Sequence, residues 1–554
     1  MKTLTKFFRH YFLSPGTEIN WYITITLLYF GTHIFALLRL PVFADEAIYI
    51  RWAQLIMDEP ARYAFFSLND GKTPLFIWLL VPFQYLFTDQ LFAGRIVAVL
   101  AGFLQVLLTG AVIRKLKGSR IAEMLGMLLV CFLPFWFFHH RMALMDGLLT
   151  AWITLALYYT ISIQEYFTTT RTDQSLIASV IDTIKKIAWS KLTWLVVGCA
   201  CAIGAAFWTK LPAVLAIPAL YIWIFWQPSK KITGFFARLV PLGVATFGGL
   251  CIFALLKLHP AFGQLFSRGS DFLYPISDVL AGAWQHSLQQ IPSYITYFIS
   301  YLSPGLLLLL VFGLFVPSKH RRTIVLLTLS GLVFMAPIAL MGKVVYARYF
   351  LPVGLFFTLA AILTIDVFIH YLQEKPVSKF AQQAAQKLQA TIVLGTTGFL
   401  LLITIVTNLS ASYFNSDATP FVPTDRVQYL TEWSSGHGIT ETVRLIQRES
   451  QTKRIAVATE GYFGTLPDAL LLYLHSRPVN SIWLEGIGQP VRSIPPTFTR
   501  KAKTYDEVWL VANSHRMFLN LPKEQLKAEF CRPYQAPCLQ VWDITQQLEQ
   551  LPTE

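Results

Sequence analysis

Long apolar runs dominate the first three quarters of the chain. Stretches of about 18–24 residues, the length a helix needs to cross hydrocarbon, fall near 20–42, 91–113, 121–138, 146–165, 192–209, 211–227, 236–257, 293–316, 323–342, 349–370 and 391–413. They predict about eleven transmembrane helices. A further run, "TPLFIWLLVPFQYLF" at 73–87, is shorter and holds Pro74 and Pro82, which suits an interfacial or re-entrant helix better than a span. Residues 43–90 then form one long external loop with amphipathic elements.

From residue 414 the pattern changes. "RIAVATEGYF", "VNSIWLEGI" and "YDEVWLVAN" are short β-rich runs, separated by polar, helix-like stretches such as "GITETVRLIQRES". The chain is therefore read as a membrane domain over 1–413 and a small soluble α/β domain over 414–554. The segment 371–390, rich in Gln, Ala and Lys, reads as a cytoplasmic helical connection.

Composition agrees: 55% of the 554 residues are hydrophobic and only 14% are charged, against about 45–50% apolar for soluble domains. The formal net charge of +14 belongs to the membrane part, because acidic and basic residues nearly cancel from Asn415 onward. Basic segments, "RKLKGSR" (114–120), the one with Lys185, Lys186 and Lys191, "PSKK" (228–231), "PSKHRR" (317–322) and the one with Lys375, Lys379 and Lys387, fall on one side if spans alternate. That side is cytoplasmic by the positive-inside rule, so the N-terminus lies inside and the soluble domain outside. The charge is orientation signal and gives no reason to expect nucleic acid. The start of the chain, with Lys2, Lys6 and Arg9, reads as a retained cytoplasmic tail. Of six cysteines, Cys131, Cys199, Cys201 and Cys251 sit in apolar runs as small buried side chains. Cys531 and Cys538 lie in polar, extracytoplasmic sequence, either as a disulfide or as two free thiols.

A charge near hydrocarbon is costly unless paired or hydrated, so charges at outer helix ends are candidates for chemistry. The external side collects Asp45 and Glu46 after the first run, Arg51, Lys72 in "DGKTPL", Arg95, Arg141 and Asp146 in "HHRMALMDG", Lys210 in "WTKLP", and Lys343, Tyr346 and Arg348 in "GKVVYARYFLP". Glu46 taken alone reads as a loop-hydrating or locally paired group, Arg95 as a snorkelling flank, and His139 and His140 as interfacial polar residues. Together the set describes group transfer from a phosphate-linked donor: a carboxylate takes a proton from an attacking hydroxyl, while Lys and Arg stabilise a departing phosphate. Asp45, Glu46 and Asp146 are the candidate catalytic carboxylates. Lys72, Arg141, Lys210, Tyr346 and Arg348 are the candidate donor-phosphate ligands. No helical His-Glu-x-x-His, paired Cys-x-x-Cys, Walker loop, GxSxG elbow or dinucleotide fingerprint occurs. No metal site is assigned and no cofactor is expected to be required, although scattered carboxylates leave a divalent ion open.

The ordered series "ADEAIYIRWA", "GKTPLFIWLLVPF", "AGRIVAVLAG", "HHRMALMDGLLTAWITLAL", "WTKLPAVLAIPAL" and "YARYFLPVGLFFTLAAI" resembles the GT-C glycosyltransferases. Within them it is similar to bacterial-type members of the protein O-mannosyltransferase and aminoarabinose (lipid A) transferase superfamily, over roughly residues 15–413. The resemblance implies a multi-pass enzyme of the plasma (inner) membrane that moves a monosaccharide from a polyprenyl-phosphate donor to an extracytoplasmic acceptor (protein, lipid or glycan), without nucleotide. It implies that Asp45 is the base or acceptor-orienting group, that Lys72 contacts the lipid phosphate, that Arg141 and Asp146 belong to the second external loop, and that Lys210 and Arg348 line the donor site. Gly71 stands where aminoarabinose enzymes tend to have Glu, and Thr73 replaces the first proline of a Lys-Pro-Pro-Leu-like stretch. The segment beginning at Asp425, "DRVQYLTEWSSGHGITETVRLI", resembles the start of the tails on many bacterial members, in which a Trp-Ser-Ser-Gly turn precedes an amphipathic helix.

The expected reaction is a single inverting displacement. The alternative from another class is a transporter or flippase for lipid-linked saccharide. Such proteins often show two similar halves with broken helices near the midplane, whereas the charges here gather on one side.

Overall fold

The computed structural model describes residues 18–167, 190–227, 232–373, 380–475, 481–548 and 550. The N-terminal tail and the basic residues Lys185, Lys186, Lys230, Lys231, Lys375 and Lys379 lie outside the described residues. The chain divides into two compact units. The first gathers the chain up to Phe35, Phe65–Phe76 and Ala98–Ser410; the second gathers Ala36–Ala64, Ile77–Val97 and the chain from Ala411 onward.

The first unit is helical. Among the described residues, seven helices of the chain are long and apolar enough to cross a membrane: Gln90–Lys115, Met145–Tyr166, Lys191–Thr209, Ile232–Leu258, Arg321–Met341, Ala347–Gln373 and Lys387–Phe414. Each coincides with an apolar run in the sequence. The run 293–316 becomes two helices, Ile291–Leu302 and Pro304–Phe315, bent by 104°. Ser303 at the break has φ +76° and its hydroxyl accepts from Gly305 N, so Pro304 starts a new helix instead of continuing the old one.

Three further runs give shorter elements. The run 20–42 yields Glu18–Ile34, 17 residues long. The run 121–138 is split into Arg120–Phe132 and Pro134–His139, since Leu133 before the proline is extended. The run 211–227 is divided among Leu211–Leu215, Ala216–Tyr221 and Ile222–Phe225. The chain is a multi-pass α-helical membrane protein.

Local rules explain several helix starts. Ser119 and Ser190 accept from Ala122 N and Leu192 N, capping Arg120–Phe132 and Lys191–Thr209. Ser119 also donates to Asp366, a carboxylate buried in the long helix Leu351–Gln373. Thr154 Oγ1 donates to Gln105 Oε1 at 2.9 Å, and Ser330 Oγ to Ala219 O at 2.9 Å. Hydroxyls thus tie helices together where apolar packing alone gives little preference over lipid.

The second unit is built on a five-stranded sheet: β1 Ile455–Thr459, β2 Ile482–Gly486, β3 Glu507–Asn513, β4 Leu526–Arg532 and β5 Ala536–Asp543. The order is β2-β1-β3-β5-β4. β1 pairs in parallel with β2 and β3, while β5 runs antiparallel to both β3 and β4. The interior strand β1 is buried at every position and the edge strand β4 mostly alternates, as a two-sided and a one-sided environment require. β1, β2 and β3 are the three β-rich runs of the sequence, and Ile439–Glu449 is the expected amphipathic helix, with Ile439, Val443 and Ile446 buried. Cys531 and Cys538 face each other across β4 and β5 and are joined as a disulfide, one of the two states the sequence left open.

The same unit contains Ala44–Asp58 and the first part of the following loop. Trp52, Ala53, Gln54 and Ile56 are buried, and Gln54 Nε2 donates to Leu472 O at 2.9 Å. Asp468, in the turn before Leu470–Leu474, accepts from Gly464 N at 2.7 Å, yet burial pushes its carboxyl up to about 6. A raised carboxyl pKa favours folding below the unfolded value near 3.9 and loses that contribution as pH rises towards about 6. Asp468→Asn is therefore expected to flatten the fall in stability between those two pH values and to raise stability at neutral pH by about 2 kcal/mol. Tryptophan-fluorescence melting against pH is the check. An unchanged pH slope would show that Asp468 ionises freely in the folded protein.

Candidate functional site

The candidate residues are divided between the two units. In the second unit Asp45 and Glu46 occupy the first turn of Ala44–Asp58, where carboxylates are favoured by the helix dipole. Asp45 is half-buried and Glu46 is fully buried. Arg95 lies against Glu46 and is 1% exposed. Its Nε donates to Glu46 Oε1 at 2.9 Å and its Nη2 to Glu46 Oε2 at 2.8 Å. The remaining guanidinium hydrogens meet Leu37 O at 2.7 Å, Leu40 O at 2.9 Å and Pro41 O at 3.0 Å. Glu46 Oε2 also accepts from Phe43 N at 3.0 Å.

Both oxygens of Glu46 are thus engaged by Arg95, and Arg95, read from sequence as a snorkelling flank, is instead enclosed. Nearby, Arg51 Nη1 donates to His475 Nδ1 at 3.0 Å, and His475 Nε2 lies 3.3 Å from Asp58. Burial lowers the His475 pKa, in keeping with a neutral ring that accepts at Nδ1 and donates at Nε2.

In the first unit, Asp146 sits in the first turn of Met145–Tyr166 and Lys210 follows the last turn of Lys191–Thr209. Lys210 Nζ is 2.7 Å from Asp146 Oδ1 and 4.8 Å from the centre of the Tyr349 ring. Arg348, which is buried, has its guanidinium 5.2 Å from the Tyr346 ring and 5.7 Å from that of Tyr349. Two cations, one carboxylate and two phenol rings therefore share one place. Arg141 donates to Phe35 O at 2.9 Å and stands 4.7 Å over Phe137. His139 and His140 are buried within the protein. His139 Nδ1 bonds Phe135 O at 2.7 Å, while its Nε2 and both nitrogens of His140 have no partner among the described residues.

Lys72 lies in a separate cluster of the same unit. Gly71 adopts φ +70° as the cap of Phe66–Asp70, a left-handed turn that favours glycine over Glu. Lys72 Nζ and Arg268 Cζ are each 5.5 Å from the Phe272 ring. Arg268 pairs with Asp70 and, at 3.1 Å, with Asp271, and Lys343 Nζ donates to Ser270 O at 2.7 Å. Sequence reasoning did not select Arg268 or Asp70. They are 198 residues apart, and only the adjacency of Asp70 to "GKTPL" pointed that way.

Residues 64–255 match the model of the dolichyl-phosphate-mannose-protein mannosyltransferase family. A comparison with curated protein sequences finds no match. Among solved structures, the chain is similar to ArnT from Cupriavidus metallidurans bound to undecaprenyl phosphate, with a TM-score of 0.53, 14% identity, and coverage of 96% of this chain and 99% of that one. Against the same protein in the apo state the TM-score is 0.56, again at 14% identity, with 94% and 98% covered. It is also similar to the oligosaccharyltransferase AglB from Archaeoglobus fulgidus in complex with an inhibitory peptide and a dolichol-phosphate, at a TM-score of 0.50 and 9% identity, covering 89% of this chain and 69% of that one. The fold is that of the GT-C membrane glycosyltransferases. The segment that matches the family model is the one that carries Lys72, Arg141, Asp146 and Lys210.

Removing one partner of a fully buried ion pair leaves the other charge uncompensated and typically costs about 3–5 kcal/mol. Arg95→Met is expected to destabilise the protein by that amount, and Arg95→Met with Glu46→Leu to recover most of it. Thermal unfolding of the two variants beside wild type measures this. A single variant as stable as wild type would mean that Glu46 is hydrated.

Proposed function

We propose that the protein is a membrane glycosyltransferase that moves one sugar from a polyprenyl-phosphate monosaccharide to an acceptor outside the cytoplasm, with inversion at the anomeric carbon. The observation that carries this reading is the meeting of Lys210, Arg348, Tyr346 and Tyr349 beside Asp146, in a chain whose residues 64–255 match a family named for a dolichyl-phosphate sugar donor. Such a group suits a phosphate ester. Cations neutralise it, phenol hydroxyls donate to it, and low exposure strengthens both.

In the proposed reaction Lys210, Arg348 and Tyr346 hold the donor phosphate, and Lys72 and Arg141, which stand apart from that group in this structure, join it when the donor is bound. Asp146 limits the charge of Lys210 while no donor is bound. Asp45 removes the proton of an acceptor hydroxyl or amine, the acceptor atom bonds to the anomeric carbon, and the bond from that carbon to the phosphate oxygen breaks. The electron pair leaves with the phosphate, giving free polyprenyl phosphate. Glu46 acts through the main chain and not on substrate. The reaction so written needs no nucleotide and no metal ion, because the chain's own cations supply the charge compensation. The N-terminus lies in the cytoplasm, and the soluble domain lies outside the plasma (inner) membrane of a bacterium.

Purified protein in lipid, offered a panel of polyprenyl-phosphate monosaccharides and crude acceptors, is expected to release polyprenyl phosphate. Asp45→Asn should slow release by about 100-fold to 10,000-fold with the fold intact, and chelation of divalent ions should leave it unchanged. Lys72→Met should raise the donor KM by about 10-fold or more, the worth of a charge-assisted hydrogen bond. Release that survives Asp45→Asn removes Asp45 from the chemistry. No release across the panel, despite bound lipid, would favour a transporter of lipid-linked saccharide.

A further inference from the structure

The Trp-Ser-Ser-Gly turn of the soluble domain has no place in the reaction as written, yet its position is specific. Ser434 O accepts from Ala44 N at 3.0 Å, Gly436 N donates to Val42 O at 2.9 Å, and Phe43 and Ser435 form an antiparallel bridge. The turn therefore makes a short two-stranded ladder with residues 42–44, which end immediately before Asp45. Gly436 is needed for this approach, since a Cβ there would stand 2.4 Å from Val42 O.

The ladder is anchored to the sheet. Arg532, buried at the end of β4, donates to Ser435 O at 3.1 Å and to Asn513 Oδ1 at 2.6 Å. Asn513 ends β3 and is held in turn by Glu460, through its main-chain N at 2.6 Å and its side-chain Nδ2 at 2.8 Å. Trp433 carries Arg516 over its ring at 4.5 Å, and Thr465 Oγ1 donates to Trp433 O at 2.5 Å. Immediately after Asp45, Glu46 is held by Arg95 and by Phe43 N, and Arg95 is itself anchored on the carbonyls of Leu37, Leu40 and Pro41. The main chain around Asp45 is thus fixed on both sides, by strand-like pairing before it and by a buried ion pair after it.

We infer that the soluble domain is a positioning device for the reaction: through Ser434, Ser435 and Gly436, backed by Arg532, it sets the orientation of the Asp45 carboxylate. This rests on the assignment of Asp45 as base. A base must sit within hydrogen-bond reach of the proton it removes, and a misplacement of about 1 Å costs on the order of 100-fold. Donor binding uses other residues and is independent of the turn.

The test compares Gly436→Ala with Gly438→Ala, two residues further on. Gly438 has φ +83° and a Cβ there would meet Phe530 Cβ at 2.6 Å, so that change strains the same domain without touching the ladder. With the donor that the panel identifies, Gly436→Ala is expected to lower kcat by about 10-fold to 100-fold while the donor KM stays within about two-fold. Gly438→Ala is expected to lower Tm and leave kcat unchanged. Full kcat in Gly436→Ala, or losses of kcat in both variants that follow Tm, would overturn the inference. Asp45→Asn, run alongside, separates the two failures: an inactive Asp45→Asn with an active Gly436→Ala sinks the positioning role alone, whereas an active Asp45→Asn sinks both it and the base assignment.

Discussion

The ion pair of Arg95 and Glu46 is the constraint on which the second unit depends. Removing two charges from water is costly, and mutual attraction repays it only when every remaining donor and acceptor is satisfied. Here that condition is met: five hydrogen bonds leave Arg95, two to Glu46 and three to the carbonyls of Leu37, Leu40 and Pro41. Those carbonyls would otherwise be orphans in a turn without regular structure. The pair thus does for residues 37–46 what a ladder does for a strand.

The first unit handles its cations differently. Lys210 keeps one carboxylate, Arg348 keeps aromatic faces, and Arg141 keeps a carbonyl and the Phe137 ring. A ring face or a carbonyl offers partial negative charge and lets a fully anionic ligand compete, whereas a bidentate carboxylate does not. The same chemical types, cation and carboxylate, thus form a closed bidentate pair in one unit and stand among rings and carbonyls in the other.

What was legible in the sequence follows from range. Period and length revealed the seven long helices and strands β1 to β3, because each signal is local. Prolines told where runs break only after the fact: Pro134 and Pro304 each start a new helix, but hydropathy averages across them. Strands β4 and β5 went unread because the edge strand is half polar and the pair is recognisable mainly through its partners. Arg95 looked like a snorkelling flank, since a single arginine near a helix start gives no hint of three carbonyls 54 to 58 residues earlier in the chain. The meeting of Arg268 with Asp70, and of the Trp-Ser-Ser-Gly turn with Val42 and Ala44, is likewise invisible locally. The external charges were recognisable as a set, while their grouping needed the fold.

Asp45 and Glu46 show how far adjacency misleads. Two neighbouring carboxylates suggest a shared task, such as a metal or one proton held between them. Once they fall in the first turn of a helix, successive side chains point about 100° apart, so neighbours cannot face the same way. The two carboxylates therefore meet different surroundings. Glu46 is the one turned in: it is fully buried and held by Arg95, while Asp45 is half-buried. The residue invested in structure cannot leave its site without exposing an uncompensated Arg95, and that rigidity is what fixes the helix start from which its neighbour projects. A dyad in sequence thus becomes, through the pairing of Glu46 with Arg95, a support and the neighbour beside it.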